Sequence, residues 1–417
     1  MHIVYVHRGV YPERIGGTYT YIHELGRRLV ARGHAVDVIA STREPGQGEP
    51  STLEGMTVHR YPFVRVHPVT STLQHLAKTC RTYASIASRH PVDILSVQDA
   101  QLGMWAARSR IGRAACRVPT FHAPGFLEYR LNTAWQVQDE RRAVRRAWLR
   151  AIEPAFERWQ RGFETRVLSA ADAVVVLSQY TRGLIEQHFP AVPLERVRVI
   201  PGGVDTGRFR PAGDRAAVRR ALGIPPDAVC LLTVRNLSPR MGLKRLVDAM
   251  PRILASDGAR GRDVRLLVCG EGRLRPTLES AVRERGLAGR VELRGRVTDD
   301  DLVRHYQAAD LFVLPTQEME GFGIVTIEAL SVNLPVVGTP AGATPEILER
   351  IDPRLVTRDT SADAIADGVI SWLERSGDER GTTRYRAEAL TRYDWERVTD
   401  EVERYYEESL EAFRKRH

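Results

Sequence analysis

The stretch Glu320-Gly-Phe-Gly-Ile-Val-Thr-Ile-Glu328 decides how this chain is read. It opens on a carboxylate, passes two glycines and enters a helix that carries a second carboxylate. The apolar run Asp310-Leu-Phe-Val-Leu-Pro315 leads straight into it. A strand feeding a glycine turn and a helix start gathers free backbone N–H groups and a positive dipole end at one point, which suits phosphate. Two acids flanking such a point would repel phosphate, so their task is to accept hydrogen bonds from neutral hydroxyls. The stretch therefore asks for a ligand that has both phosphates and sugars.

Outward from it, apolar β-branched runs alternate with helical segments. Strands are expected at Ile3–Val6, Val36–Ile39, Asp93–Val97, Val118–His122, Ala173–Ser178 and Val197–Ile200, then at Cys230–Val234, Val264–Cys269, Val291–Gly295, Leu311–Leu314 and Pro335–Gly338. Continuous rather than alternating apolar runs mark strands buried on both faces. Strand–helix alternation gives right-handed βαβ units and parallel sheets. The pattern restarts after Ile200-Pro-Gly-Gly-Val-Asp205, a turn-rich seam. The fold class is α/β, with two Rossmann-like doubly wound domains expected at 1–200 and 201–394. The segment 395–417 reads as a closing amphipathic helix with Val398, Val402, Tyr405 and Leu410 on one face, docked onto a domain.

Other strand ends carry similar turns. His7 to Gly16-Gly17 is a loop before a helix that begins near Thr18, buries Ile22, Leu25 and Leu29, and stops at Gly33. Gly-Gly lets backbone approach a ligand, or simply makes a turn. It is not a GxGxxG fingerprint, which disfavours an NAD-dependent dehydrogenase. His122 ends a strand, where ligands of open α/β sheets sit; taken alone it reads as a satisfied loop histidine. Thr233-Val-Arg-Asn-Leu-Ser-Pro-Arg-Met-Gly-Leu-Lys244 places Arg235, Arg240 and Lys244 near a strand end, where they could neutralise a pyrophosphate. Cys269-Gly-Glu-Gly272 and Gly295-Arg-Val297 repeat the arrangement.

The chain has 417 residues, 43% hydrophobic and 27% charged, as expected of a soluble globular protein with more than one core. Its start, Met1-His-Ile-Val-Tyr-Val-His7-Arg8, reads as a strand without the apolar region of a signal peptide. No run nears the roughly 18 apolar residues that span a bilayer. Cys80, Cys116, Cys230 and Cys269 lack metal-site spacing and read as free thiols. The expected compartment is the cytoplasm. Net charge is +9, with arginine far exceeding lysine, which points to composition bias or an anionic partner. No zinc-finger or aromatic-basic motif supports nucleic acid. Between 141 and 159, Arg141, Arg142, Arg145, Arg146 and Arg150 surround a stripe of Val144, Trp148, Ile152 and Phe156, with Pro154 expected to bend or break the helix. The preferred reading packs Trp148 into its own domain; the alternative is a basic helix in peripheral contact with the inner face of an acidic membrane.

The set resembles the GT-B glycosyltransferases of the retaining family 4, also called glycosyl transferases group 1, over essentially the whole chain. It rests on the E-x7-E spacing from Glu320 to Glu328, with Gly16-Gly17, the Val-Asp of Pro-Gly-Gly-Val-Asp205, Gly270-Glu-Gly272, Pro335-Val-Val and Ala341-Gly-Ala-Thr-Pro-Glu346 in order. The register is fixed, since Glu318 has Thr326 eight residues on. The resemblance implies an interdomain cleft, a first domain on the acceptor side and a second that binds the nucleotide sugar, with the last helix crossing back to the first. It assigns Glu320 to donor-sugar hydroxyls, the amides of Gly321, Phe322, Gly323, Ile324 and Val325 to sugar and phosphate, and Glu328 to the ribose. It gives the backbone of Val297 to the base, His122 to the sugar near its reacting carbon, and Gly17 (beside Gly16) to the diphosphate.

Where the family has Gly-Arg-Leu and then a basic residue before Gly, this chain has Asn236 and Met241, each preceded by an arginine. Arg240 is expected to take the diphosphate role, assisted by Arg235, with Asn236 and Lys244 also among the donor-binding residues. Asn333 stands where glycine is common and is expected to alter a turn, not the chemistry.

The reaction implied is transfer of a sugar from a UDP- or GDP-sugar to an acceptor hydroxyl with retained configuration. No permanent cofactor is expected, and no metal, because no clear Asp-x-Asp metal site precedes the motif. The acceptor, whether glycan, lipid or small natural product, and the oligomeric state are left open by the residues. Alternatives on the same fold are a sugar-nucleotide epimerase, a phosphorylase and a noncatalytic sugar-nucleotide-binding protein.

Overall fold

The computed structural model describes residues 1–42, 50–63, 68–139, 143–375 and 384–417. They form two units, Met1–Gly202 with Trp395–His417, and Gly203–Asp394.

In the first unit, six strands make one sheet: β1 (His2–Val6), β2 (Ala35–Thr42), β3 (Ser51–Leu53), β4 (Met56–Pro62), β5 (Ile94–Val97) and β6 (Cys116–Arg117), in the order β3-β4-β2-β1-β5-β6. All neighbours are parallel except β3 and β4. Three more strands, β7 (Thr120–Phe121), β8 (Val174–Val176) and β9 (Val197–Val199), form a second parallel sheet. The expected strand Val118–His122 is therefore divided between the sheets. Pro119 has no N–H to give, so Val118 N reaches back to Leu95 O at 3.0 Å while Pro119 O accepts from Val175 N at 3.0 Å. Val4, Val6, Ile39, Leu95 and Val97 build the core, as their apolar runs require.

The β3–β4 hairpin and β6 were not among the expected strands. The hairpin turns at Glu54 and Gly55, both with positive φ, a two-residue loop matched to strand twist. The first helix, Gly17–Ala31, buries Ile22, Leu25 and Leu29, and Gly33 follows it at φ 88°. The helix Ala143–Ser169 runs on through Pro154, which does not break it. Pro154 is exposed, where a carbonyl left without its helical donor can turn to water. The closing helix, Trp395–Arg416, buries Trp395, Val398, Val402, Tyr405, Tyr406, Leu410 and Phe413. Tyr405 donates to Arg196 O at 2.7 Å, and Arg28 pairs with Glu396 at 2.8 Å.

The second unit has five parallel strands, β10 (Val229–Val234), β11 (Val264–Cys269), β12 (Val291–Gly295), β13 (Leu311–Leu314) and β14 (Val336–Gly338), in the order β12-β11-β10-β13-β14. The order reverses between β10 and β13, the switch point beyond which such sheets hold ligands. Leu231, Leu232, Leu266, Leu267, Phe312 and Val313 are fully buried along its centre. Cys116, Cys230 and Cys269 are buried and Cys80 half-buried, all as free thiols. No helix of the described residues is long and apolar enough to cross a membrane.

Candidate active site

The switch point is where the opening stretch lies. β13 ends at Leu314, and Pro315 and Thr316 lead to Glu320. Gly323 then caps the Ile324–Ser331 helix with φ 97°, a left-handed conformation that glycine adopts without a Cβ clash. The helix N-terminus thus presents its free amides between Glu320 and Glu328. The turn at Gly342 packs against the same segment: a Cβ there would stand 2.2 Å from Glu320 O, and Ala343 N donates to that oxygen at 2.8 Å.

Both acids are held. Glu320 Oε2 accepts from Arg235 Nη2 at 2.5 Å and from Thr316 Oγ1 at 3.0 Å. Glu328 Oε2 accepts from Tyr306 Oη at 2.8 Å; that hydroxyl also lies 3.3 Å from Val325 O. Burial, followed by the nearby Glu328, pushes the Tyr306 hydroxyl well above its ordinary range, so it remains a donor.

β10 delivers the basic loop beside this turn. Arg235 is buried and faces Glu320. Asn236 is exposed. Arg240 is half-buried on the short 3-10 turn Pro239–Met241, and its Nη1 donates to Met319 O at 3.1 Å. Lys244, in the first turn of the Leu243–Ala255 helix, reaches Asp248 at 2.9 Å. Val297 is half-buried just past β12. Phe322 buries its ring edge-on to Tyr393 at 5.7 Å, so only its backbone is offered to a ligand. Asn333 adopts φ 64° and accepts from Arg386 N at 3.2 Å. Asparagine tolerates this left-handed region better than most side chains do.

The acids Asp299, Asp300 and Asp301 form the first turn of the Asp299–Ala308 helix, with Thr298 accepting from Asp301 N at 3.2 Å. They complement that helix's dipole.

In the first unit, Gly16 precedes and Gly17 opens the first helix. His122 follows β7 and is half-buried, its ring edge-on to Tyr21 at 5.3 Å. Gln98 Nε2 donates to Ser96 Oγ at 2.9 Å and Thr120 Oγ1 at 3.0 Å. Its Oε1 therefore faces His122 Nε2 at 2.7 Å and accepts from it. That bond selects the Nε2–H tautomer and leaves Nδ1 as the lone-pair nitrogen. Burial, with His7 adding to it, pushes His122 down to about 3, so the ring is neutral at pH 7. Nearby, Glu164 accepts from Gly125 N at 2.5 Å, and burial pushes its carboxyl up to about 8.

Sequence reasoning missed Tyr306, Thr316, Gln98 and Glu164. Tyr306 and Glu164 lie on amphipathic helices where they read as core or surface; Thr316 and Gln98 follow strands β13 and β5, and that position was their signal. Of the basic stretch between 141 and 159, Arg141 and Arg142 and the side chains of 143–146 and 148–150 lie outside the described residues.

Comparison with known proteins identifies the family. Residues 214–389 match the model "Glycosyl transferases group 1", and residues 15–208 match "Glycosyltransferase Family 4". The chain is 31% identical over 375 residues, 87% of each chain, to a GDP-mannose-dependent alpha-(1-6)-phosphatidylinositol monomannoside mannosyltransferase of Mycobacterium tuberculosis. It is 33% identical over 343 residues, 78% of this chain and 71% of the other, to a D-inositol 3-phosphate glycosyltransferase of Geodermatophilus obscurus. The fold is similar to that of sucrose-phosphate synthase from Thermosynechococcus elongatus, with TM-score 0.80, 21% identity and 99% of each chain covered. It is also similar to Anabaena HepE in complex with UDP and glucose, with TM-score 0.72, 18% identity, and 97% and 98% covered.

Proposed function

Since the chain belongs to the group 1 glycosyltransferases of family 4, with the GT-B fold, we propose that it transfers a hexosyl group from a nucleoside diphosphate sugar to an acceptor hydroxyl with retained configuration and without a metal ion. The observation that carries this reading is the helix N-terminus at Ile324, set at the sheet's switch point between two positioned carboxylates. Amides and dipole suit the diphosphate; Glu320 suits sugar hydroxyls and Glu328 the ribose. The named relatives make GDP-mannose the first donor to try and an inositol-bearing molecule, as phosphate or lipid, the first acceptor.

In this mechanism the bond between the sugar's anomeric carbon and the β-phosphate oxygen breaks. The acceptor oxygen bonds to the same face of that carbon, and its proton passes to the departing phosphate. Negative charge grows on the diphosphate, where Arg240 and the helix amides stabilise it electrostatically. From the first unit the reading draws on His122, whose neutral ring donates from one nitrogen to Gln98 and accepts at the other, and on the backbone at Gly16 and Gly17.

The test incubates purified protein with GDP-mannose or UDP-glucose and with inositol 3-phosphate or phosphatidylinositol vesicles, following nucleotide release and product mass. Acceptor-dependent GDP release with a hexosylated product supports the proposal. Sugar-nucleotide turnover without an acceptor-linked product points to the epimerase or phosphorylase alternatives. Binding without turnover points to a noncatalytic role.

A further inference from the structure

Glu320 is fixed from two sides. Its backbone is locked by Gly342 and Ala343, and its side chain by Arg235 and Thr316. The Arg235 guanidinium is buried, and its Nη2 reaches Glu320 Oε2 at 2.5 Å, Thr316 Oγ1 at 3.0 Å and Met241 Sδ at 2.6 Å. Its Nε is buried without a hydrogen-bond partner. Met241 itself stands where the family has a basic residue, and it contacts this arginine instead of offering a charge.

A buried carboxylate is costly without a partner, and the guanidinium beside it supplies both a counter-charge and a hydrogen bond of fixed direction. Both Arg235 and Thr316 bind Oε2, and Oε1 takes part in neither contact. We infer that Arg235 is a positioning residue: it holds the Glu320 carboxylate in one orientation, with Oε1 as the acceptor for donor-sugar hydroxyls, and it does not bind the diphosphate. This inference rests on the proposed glycosyltransferase reading.

The test uses GDP and GDP-mannose as probes, with UDP and UDP-glucose as a second pair, on wild type, R235Q, R235K, R240Q, E320Q and the double variant R235Q/E320Q. A residue that acts only through Glu320 leaves affinity for the bare nucleotide within about twofold of wild type, yet lowers turnover of the sugar nucleotide by about thirtyfold or more. R235K, which keeps a charge near Oε2, recovers part of that turnover. R240Q weakens GDP itself. The double variant is no slower than E320Q, because neighbours that act as a unit are not additive. If R235Q fails to fold, Thr316→Val and the double variant (which removes both charges together) carry the same comparison.

R235Q that weakens GDP as strongly as R240Q does, or single-variant losses that multiply in the double variant, overturns the positioning role while leaving the transferase reading intact. A wild type that binds neither nucleotide pair overturns the parent reading and this inference with it.

Discussion

Tyr306 donates its hydroxyl to Glu328 Oε2 at 2.8 Å, tying a buried ring of the helix after β12 to the second acid of the motif. A carboxylate held in this way is fixed in direction, which is what recognition of a ribose diol requires. Tyr306→Phe should weaken binding of GDP by roughly tenfold, since a hydrogen bond to a charged group contributes about 1.5–3 kcal/mol. Titration calorimetry of the two proteins measures this. Unchanged affinity would detach Glu328 from nucleotide binding.

Glu320→Gln keeps the shape and removes the charge. Turnover should fall by about 10- to 100-fold, the worth of one or two charged hydrogen bonds at the reacting sugar. Stability should fall as well, by about 3 kcal/mol, because Arg235 is left buried without its counter-charge. Thermal melting beside steady-state kinetics separates the two effects.

Gly342 is a steric requirement. Its φ of 60° disfavours a side chain, and a Cβ would meet Glu320 O at 2.2 Å. Gly286 has a similar φ of 64° but nothing within 4 Å of the added atom. Gly342→Ala should therefore lower the unfolding midpoint by clearly more than Gly286→Ala, which isolates the backbone cost of about 1 kcal/mol. Equal shifts would remove the contact with Glu320 from the account.

Glu164 gives a pH prediction. Its carboxyl is raised from 4.5 to about 8 in the folded chain, mainly by burial. Between those values the folded state holds a proton that the unfolded state has released, so stability falls as pH rises. The slope is at most about 1.4 kcal/mol per pH unit. Glu164→Gln should flatten that decline between pH 5 and 8 relative to wild type. His122 acts in the opposite sense: its lowered value makes stability fall as pH drops below about 6.5. Parallel melting curves for wild type and Glu164→Gln across this range would contradict a buried neutral carboxyl.

Much of the fold was legible because its strands are continuous apolar runs. Leu311–Leu314 and Val264–Cys269 could be little else, and the Glu320–Glu328 turn follows from glycine and carboxylate spacing alone. The hairpin at Glu54 and Gly55 was not legible, since Ser51–Leu53 is only three residues long and Met56–Pro62 mixes polar with apolar residues. The break at Pro119 was overlooked although proline announced it. Arg235 could be placed beyond a strand's end, but its partner lies 85 residues on, and only the β10–β13 neighbourhood brings the two together. Tyr306 looked like a core residue, and its ring is one; its hydroxyl is what reaches the site.

The most direct test of the central claim is the anomeric outcome of transfer. Purified chain, GDP-mannose and an inositol acceptor, with the product analysed by NMR, should give an α-linked hexoside from the α-configured donor, at a rate that Glu320→Gln cuts by about 10- to 100-fold. A β-linked product, or α-linked product formed as fast by Glu320→Gln as by wild type, would contradict it.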